Sequence, residues 1–305
     1  MDYTAFDSAK PFLKGNLHAH STVSDGRLTP SLLASCYKDH GYDFIAITDH
    51  NVFSSYGQHE GLPVIAGMEL SILWGGRRLR KAHHLLVLGE GSAYHHLERI
   101  AFPHFTDSDV DLLAQTQKTT DFLKEHGYTV VYNHPFWSRT TDYDILPLRG
   151  LDMIEVYNHG SELLCDDGYD KASWHKFLDC GVHINAIATD DNHNWPPHDD
   201  SFGGWIMVNT ASRDPQAILK DIVEGRFYSS TGAEIRNWGI KDGEAWIHCG
   251  QKSRIFLHHG PDISYSNPVF DAQEASFPIP EGESWLRFEV VDGNGGRAWT
   301  NPYWL

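Results

Sequence analysis

Residues 16 to 20 read Asn-Leu-His-Ala-His, and the chain later supplies Thr48-Asp49-His50, Gly67-Met68-Glu69, His83-His84, Asn133-His134-Pro135 and Asp190-Asp191-Asn192-His193. Imidazoles and carboxylates with no thiolate among them suit Zn, Mn or Fe. Successive side chains of a strand face opposite ways. His18 and His20 can therefore grip one ion while Leu17 and Ala19 turn into packing. In His83-His84 the same alternation lets only one ring readily enter a common site.

These side chains need a scaffold that converges them, and the pattern from about residue 12 to 231 supplies one. Short apolar strands alternate with helices, which is a β/α arrangement. The predicted strands are 15–20, 43–48, 63–71, 83–88, 129–133, 152–157, 183–188 and 204–209. Thr29 caps and Pro30 starts a helix that stops at Gly41; Asp214 caps and Pro215 starts another that stops at Gly225. Two more are expected over 109–126 and 169–180, each closed by a glycine. The candidate ligands fall at or just past the C-terminal ends of strands, where barrel enzymes place their chemistry. After Gly232 the texture changes to short alternating segments between Gly, Pro, Asn and Asp turns. We expect a large unit over 1–232 and an antiparallel β module over 233–305 packed on it.

Composition narrows the classes of function. The chain has 305 residues, with 24 Lys plus Arg against 41 Asp plus Glu, a formal charge of −17. Such a balance argues against long nucleic-acid partners. A small anionic substrate remains compatible, because metal charge acts at short range. The four cysteines form no C-x-x-C pair, which fits a reducing cytoplasm better than a disulfide framework. No basic n-region with an apolar stretch stands at the N-terminus, and no run approaches a membrane span of about 20 residues. A cytoplasmic protein without membrane contact is expected.

His18-x-His20, Ser21 through Asp25-Gly26, Thr48-Asp49-His50, Glu69, Asn133-His134-Pro135 and Asp191-x-His193 resemble the PHP (polymerase and histidinol phosphatase) metallohydrolase superfamily, in its order and across roughly 180 residues. Arg226 through Gly232 and Ala298-Trp299-Thr300-Asn301-Pro302 resemble its CehA/McbA-like branch, which carries a β-rich tail. The resemblance implies a distorted (β/α)7 barrel, TIM-like in outline, whose rim holds two to three divalent ions (Mn, Fe or Zn). It implies that His18, His20, Glu69 and Asp191 hold the first, a bridging Glu69 with His84 and His134 the second, and Asp25, His50 and His193 the third. His84 is favoured over His83 because the family's histidine precedes an apolar run ending in glycine, here Gly89. The D-x-H spacing selects Asp191 and leaves Asp190 for a supporting or substrate-contacting role, while Asp49 would orient a ligand histidine.

The expected reaction is hydrolysis of a small phosphoester, of the nucleotide or sugar phosphate class, by a hydroxide bridging two metals. Asp190, Asp49 and His159 are the candidates for moving the leaving group's proton. Arg77, Arg78, Arg80 and Lys81 form a basic run before His84, and Arg139 follows His134; Arg139 and Arg78 are the candidate phosphate contacts. Two alternatives stand beside this reading: hydrolysis of a carboxyl or carbamate ester at the same centre, and a noncatalytic metal-binding module. The absence of a polymerase domain or a nucleotide-binding glycine loop argues against DNA proofreading.

Overall fold

A computed structural model describes residues 2–75, 78–101, 103–106, 111–262 and 266–305. Within them the chain is a mixed α/β fold built on two sheets. The larger has 13 strands, and the smaller six.

The smaller sheet joins His104–Phe105, Gly67–Gly75, Leu79–Leu88, Thr129–Tyr132, Met153–Asn158 and Asn185–Thr189 in that spatial order. Four of its strands sit where alternation in the sequence puts them. Gly67–Gly75 and Leu79–Leu88 pair antiparallel because the chain between them is too short for a crossover. Facing this sheet, Trp205–Asn209, Phe12–Asn16, Phe44–Ala46 and Leu62–Ile65 form one end of the larger sheet. Leu13, Phe44, Ile65, Ile206 and Val208 from one sheet meet Leu86, Leu88, Val131, Met153 and Ile187 from the other in a common apolar interior. Strand hydrogen bonding is thus divided between two sheets, instead of running round one parallel (β/α)7 barrel. Two isolated bridges, His50 to Glu69 and Ala19 to Asn192, tie the sheets together at the end where the candidate ligands lie.

The helix signals are realised closely. Thr29 accepts from Leu32 N at the start of Pro30–Asp39, and Gly41 follows with φ of 77°. Asp214 accepts from Ala217 N ahead of Pro215–Val223. The other two expected helices are Leu112–Glu125 and Lys171–Asp179, with residues 109 and 110 outside the described chain. The strand expected over 15–20 ends at Asn16. His18 and His20 continue its alternation in extended chain, and Leu17 and Ala19 are fully buried between them.

The C-terminal segments, Ile235–Lys241, Glu244–Gly260, Val269–Pro278, Trp285–Asp292, Arg297–Thr300 and Tyr303–Trp304, continue the 13-stranded sheet. Phe227–Ser230 is the seam: it pairs with Trp205–Asn209 on one side and Arg297–Thr300 on the other. The module has its own core around Ile247, Leu257 and Phe288, yet Trp285 and Trp299 pack with Trp174 and Phe177 of the larger unit. Tyr3–Thr4 pairs with the first module strand. Among the described residues no helix is long and apolar enough to cross a membrane.

Candidate metal centre

Glu69 lies at the middle of the convergence, fully buried on Gly67–Gly75. Its Oε1 is 2.9 Å from His84 Nδ1, 3.2 Å from His134 Nε2 and 3.4 Å from His18 Nε2; its Oε2 is 2.8 Å from His50 Nδ1 and 3.4 Å from His20 Nε2. Asp191 Oδ1 approaches His18 Nε2 at 3.1 Å and His20 Nε2 at 3.0 Å. Farther out, Asp25 Oδ1 is 3.5 Å from His193 Nε2 and 3.8 Å from His20 Nδ1, and its Oδ2 is 3.8 Å from His50 Nε2.

Three groupings follow from these distances: His18, His20, Glu69 and Asp191; His50, Glu69 and His84; and His20, Asp25, His50 and His193. The first unites the four residues expected for one ion. The second trio takes His50 where His134 was expected, although His134 still faces the same Glu69 oxygen. The third contains the expected three and adds His20.

The tautomers are set from outside. A carboxylate only accepts, so Glu155 Oε1, 2.7 Å from His18 Nδ1, keeps the proton there and turns the Nε2 lone pair to the centre. The carbonyl of Asp191 does the same for His193 Nδ1 at 3.0 Å. His18 Nε2 and His20 Nε2 consequently stand 3.2 Å apart against shared carboxylate oxygens. Lone pairs packed this closely call for positive charge between them. Among the described residues, the buried atoms His50 Nδ1 and Glu69 Oε2 stand 2.8 Å apart without completing a well-formed hydrogen bond, an arrangement that a cation facing both would satisfy. The donor set fits divalent metal ions on these grounds.

Charge in the protein alone runs the same way. Burial pushes Glu69 up, yet the imidazoles of His84, His50 and His18 hold it well below the ordinary carboxylate range. Burial of Asp191 is likewise outweighed by His18 and His20. His193 is half-buried, and its partial desolvation is outweighed by Asp25 and Asp191, which raise it to about 9. The carboxylates stay ionised and attract positive charge, whether protons or a metal.

Other expected roles change. Among the described residues Asp49 contacts no histidine directly: its Oδ1 accepts from Ser21 N, Ser24 N and Ser24 Oγ, and its Oδ2 from Ser21 Oγ. It fixes the Ser21–Gly26 loop, and Ser24 Oγ in turn lies 3.4 Å from His20 Nδ1. Asp190 accepts from Gly203 N, Gly204 N, Phe202 N and Tyr37 OH, all within 2.9 Å, so its oxygens anchor the 202–204 loop. His159 stays half-buried beside Tyr157 OH and belongs to none of the three groupings. Arg139 is held 3.1 Å from Asp167, and Arg78 is exposed in the turn before His84. Arg77 lies outside the described residues. His83, on the opposite strand face from His84, is buried against Tyr132, and burial lowers it to about 4.

Glu155 and Asn158, which the motifs did not single out, complete the support together with Asn133 of the Asn-His-Pro motif. Glu155 also accepts from His134 N, Asn158 Nδ2 and Thr189 Oγ1. Its signal was a lone carboxylate in the apolar strand Met153–Asn158. Asn133 Nδ2 donates to Glu69 Oε1, and Asn158 Nδ2 to Asp191 Oδ2. Beside the centre opens a cavity of about 670 Å³ lined by Ser24, Asp25, His50, Asn51, Arg99, Ile100 and Ala101.

No protein-family model matches the chain. A 70-residue stretch, 21% of the chain, is 36% identical to a 5'-3' exoribonuclease of Haemophilus influenzae; the match spans 26% of that relative. Among solved structures the chain is similar to a Chromobacterium violaceum amidohydrolase holding sulfate and no metal, at 16% identity and a TM-score of 0.42, covering 70% of this chain and 96% of that one. It is also similar to a two-domain Bacteroides vulgatus protein described as containing a predicted PHP-like metal-dependent phosphoesterase. That match has a TM-score of 0.51 and 16% identity and covers 98% of this chain and 96% of the other. Over nearly its whole length, then, the chain shares its fold with that two-domain protein.

Proposed function

We propose that this protein is a metal-dependent hydrolase of small phosphoesters. The observation that carries the proposal is Glu69, whose two buried oxygens face five imidazoles. In this reading His18, His20, Glu69 and Asp191 hold one divalent ion, Glu69 with His84 and either His50 or His134 a second, and Asp25, His50 and His193 a third. Mn, Fe and Zn all suit these donors. When bound, such ions supply an acidified water as nucleophile and positive charge for the phosphoryl oxygens. Glu155 keeps His18 in its ligand tautomer, Asn133 and Asn158 steady Glu69 and Asp191, and Asp49 holds the loop carrying Asp25. The formal charge of −17 favours small substrates, nucleotide or sugar phosphates, over long nucleic acid. The segments resembling the CehA/McbA-like branch are hydrogen-bonded neighbours, which supports assigning the tail to that branch.

Phosphate release from nucleoside monophosphates, sugar phosphates, phosphodiesters and a 5'-phosphorylated oligoribonucleotide tests the reading on Mn-loaded protein. We expect release that His18→Ala and Glu69→Ala each abolish. Cleavage of carboxyl esters alone would replace the phosphoester assignment, and full activity in either variant would remove the centre from the reaction.

A further inference from the structure

The cavity beside the centre has a cation that the motif residues did not reveal. Arg99 lies on a two-residue strand, Glu98–Arg99, which pairs antiparallel with Val52–Phe53 just after His50. Ile100 N donates to Asn51 O at 2.8 Å, which pins this segment beside the His50 turn. Arg99 Nη2 donates to Val23 O at 3.3 Å, two residues before Asp25. The guanidinium thus spans from its own strand to the loop that carries Asp25, along a cavity lined by both Asp25 and His50.

Arg99 is the arginine that lines this cavity, and it has no carboxylate partner among the described residues. Arg139 is committed to Asp167, and Arg27 stacks 3.2 Å over the Trp195 ring. A guanidinium presents five N–H donors in a fork matched to phosphoryl oxygens, and the contact to Val23 uses one of them. Ile100 and Ala101 add apolar wall beside it.

Resting on the phosphoester reading above, we propose that this cavity is the anion subsite of the centre, and that Arg99 binds a phosphoryl oxygen of the substrate through its remaining N–H groups. The substrate class is a phosphomonoester dianion small enough for a cavity of about 670 Å³. This replaces Arg139 and Arg78 as the phosphate contact.

The test is calorimetric titration of inorganic phosphate into Mn-loaded full-length protein, beside Arg99→Gln, Arg99→Lys and Arg139→Gln. Arg99 is exposed, so its variants keep the parent melting temperature, which is checked first. We expect Arg99→Gln to weaken phosphate binding about tenfold or more, Arg99→Lys to recover part of the loss, and Arg139→Gln to change it less than about twofold. Unchanged binding in Arg99→Gln, loss through Arg139→Gln instead, or no phosphate binding by the parent protein would each overturn the inference. The ester panel run on the same samples separates the two readings. Ester cleavage with Arg99-independent phosphate binding leaves the function standing without this subsite. Arg99-dependent binding with no ester cleaved leaves an anion site without the reaction.

Discussion

At the scale of single residues, the centre depends on groups that do not touch its middle. Glu155 makes four contacts, including the one that sets the His18 tautomer. Outer partners of this kind are worth about 10–100-fold in metal affinity, so Glu155→Gln is expected to lose metal to a chelator at correspondingly lower concentration while keeping its far-ultraviolet circular dichroism. The convergence of the histidines and the D-x-H pair was legible because ligand chemistry restricts residue type and local spacing. Asp49 and Asp190 were legible as candidates, but their hydrogen-bond partners were not. Both stand beside ligands, and sequence proximity does not reveal that their oxygens are taken by Ser21, Ser24 and the 202–204 amides. Glu155 and Arg99 were hidden for the opposite reason: the folded backbone brings each across from a distant element.

At the scale of elements, two short segments position the rim. The Ser21–Gly26 loop closes so tightly that a Cβ on Gly26 would come within 2.2 Å of the His20 carbonyl oxygen. Gly26→Ala must therefore push Asp25 outward. We expect it to reduce bound metal by the ion nearest Asp25, counted by atomic absorption, and to spare the ions at Glu69. The other segment is the turn after His134, where Asp170 accepts from Phe136 N at the start of Lys171–Asp179. Burial raises Asp170 to about 7. Unfolded, an aspartate titrates near pH 3.9, so its stabilising contribution is complete below about pH 4 and is lost as pH rises through about 7. In melting scans across that window, Asp170→Asn should fall less steeply with pH than the parent protein. Helix ends were readable to within a residue or two from Thr29, Pro30, Asp214 and Pro215, because capping is local chemistry. The division of strands between two sheets was not readable, because it depends on pairing between remote segments.

At the scale of the whole molecule, the C-terminal strands are part of the same sheet as the strand leading to His18. Trp285 Nε1 donates to Asp179, and Asn301 Oδ1 accepts from Ala186 N, so the two regions share hydrogen bonds as well as a core. Removing residues 233–305 would strip one of the two partner strands from Phe227–Ser230 and uncover Trp174 and Phe177. Loss of large buried side chains costs about 3–5 kcal/mol each, so the shortened chain is expected to aggregate or to melt well below the parent, as differential scanning calorimetry would show. The change of texture at Gly232 was visible in the sequence; the continuity of the sheet across it was not.

That continuity also orders events during synthesis. Every residue assigned to the metal centre has left the ribosome by His193, whereas the strands that cover Trp174 and Phe177 and pair with Tyr3–Thr4 emerge later. The nascent chain therefore carries the whole set of candidate ligands on an apolar surface that awaits its cover. This is the interval in which it would engage chaperones and in which the order of metal uptake and chain completion is decided.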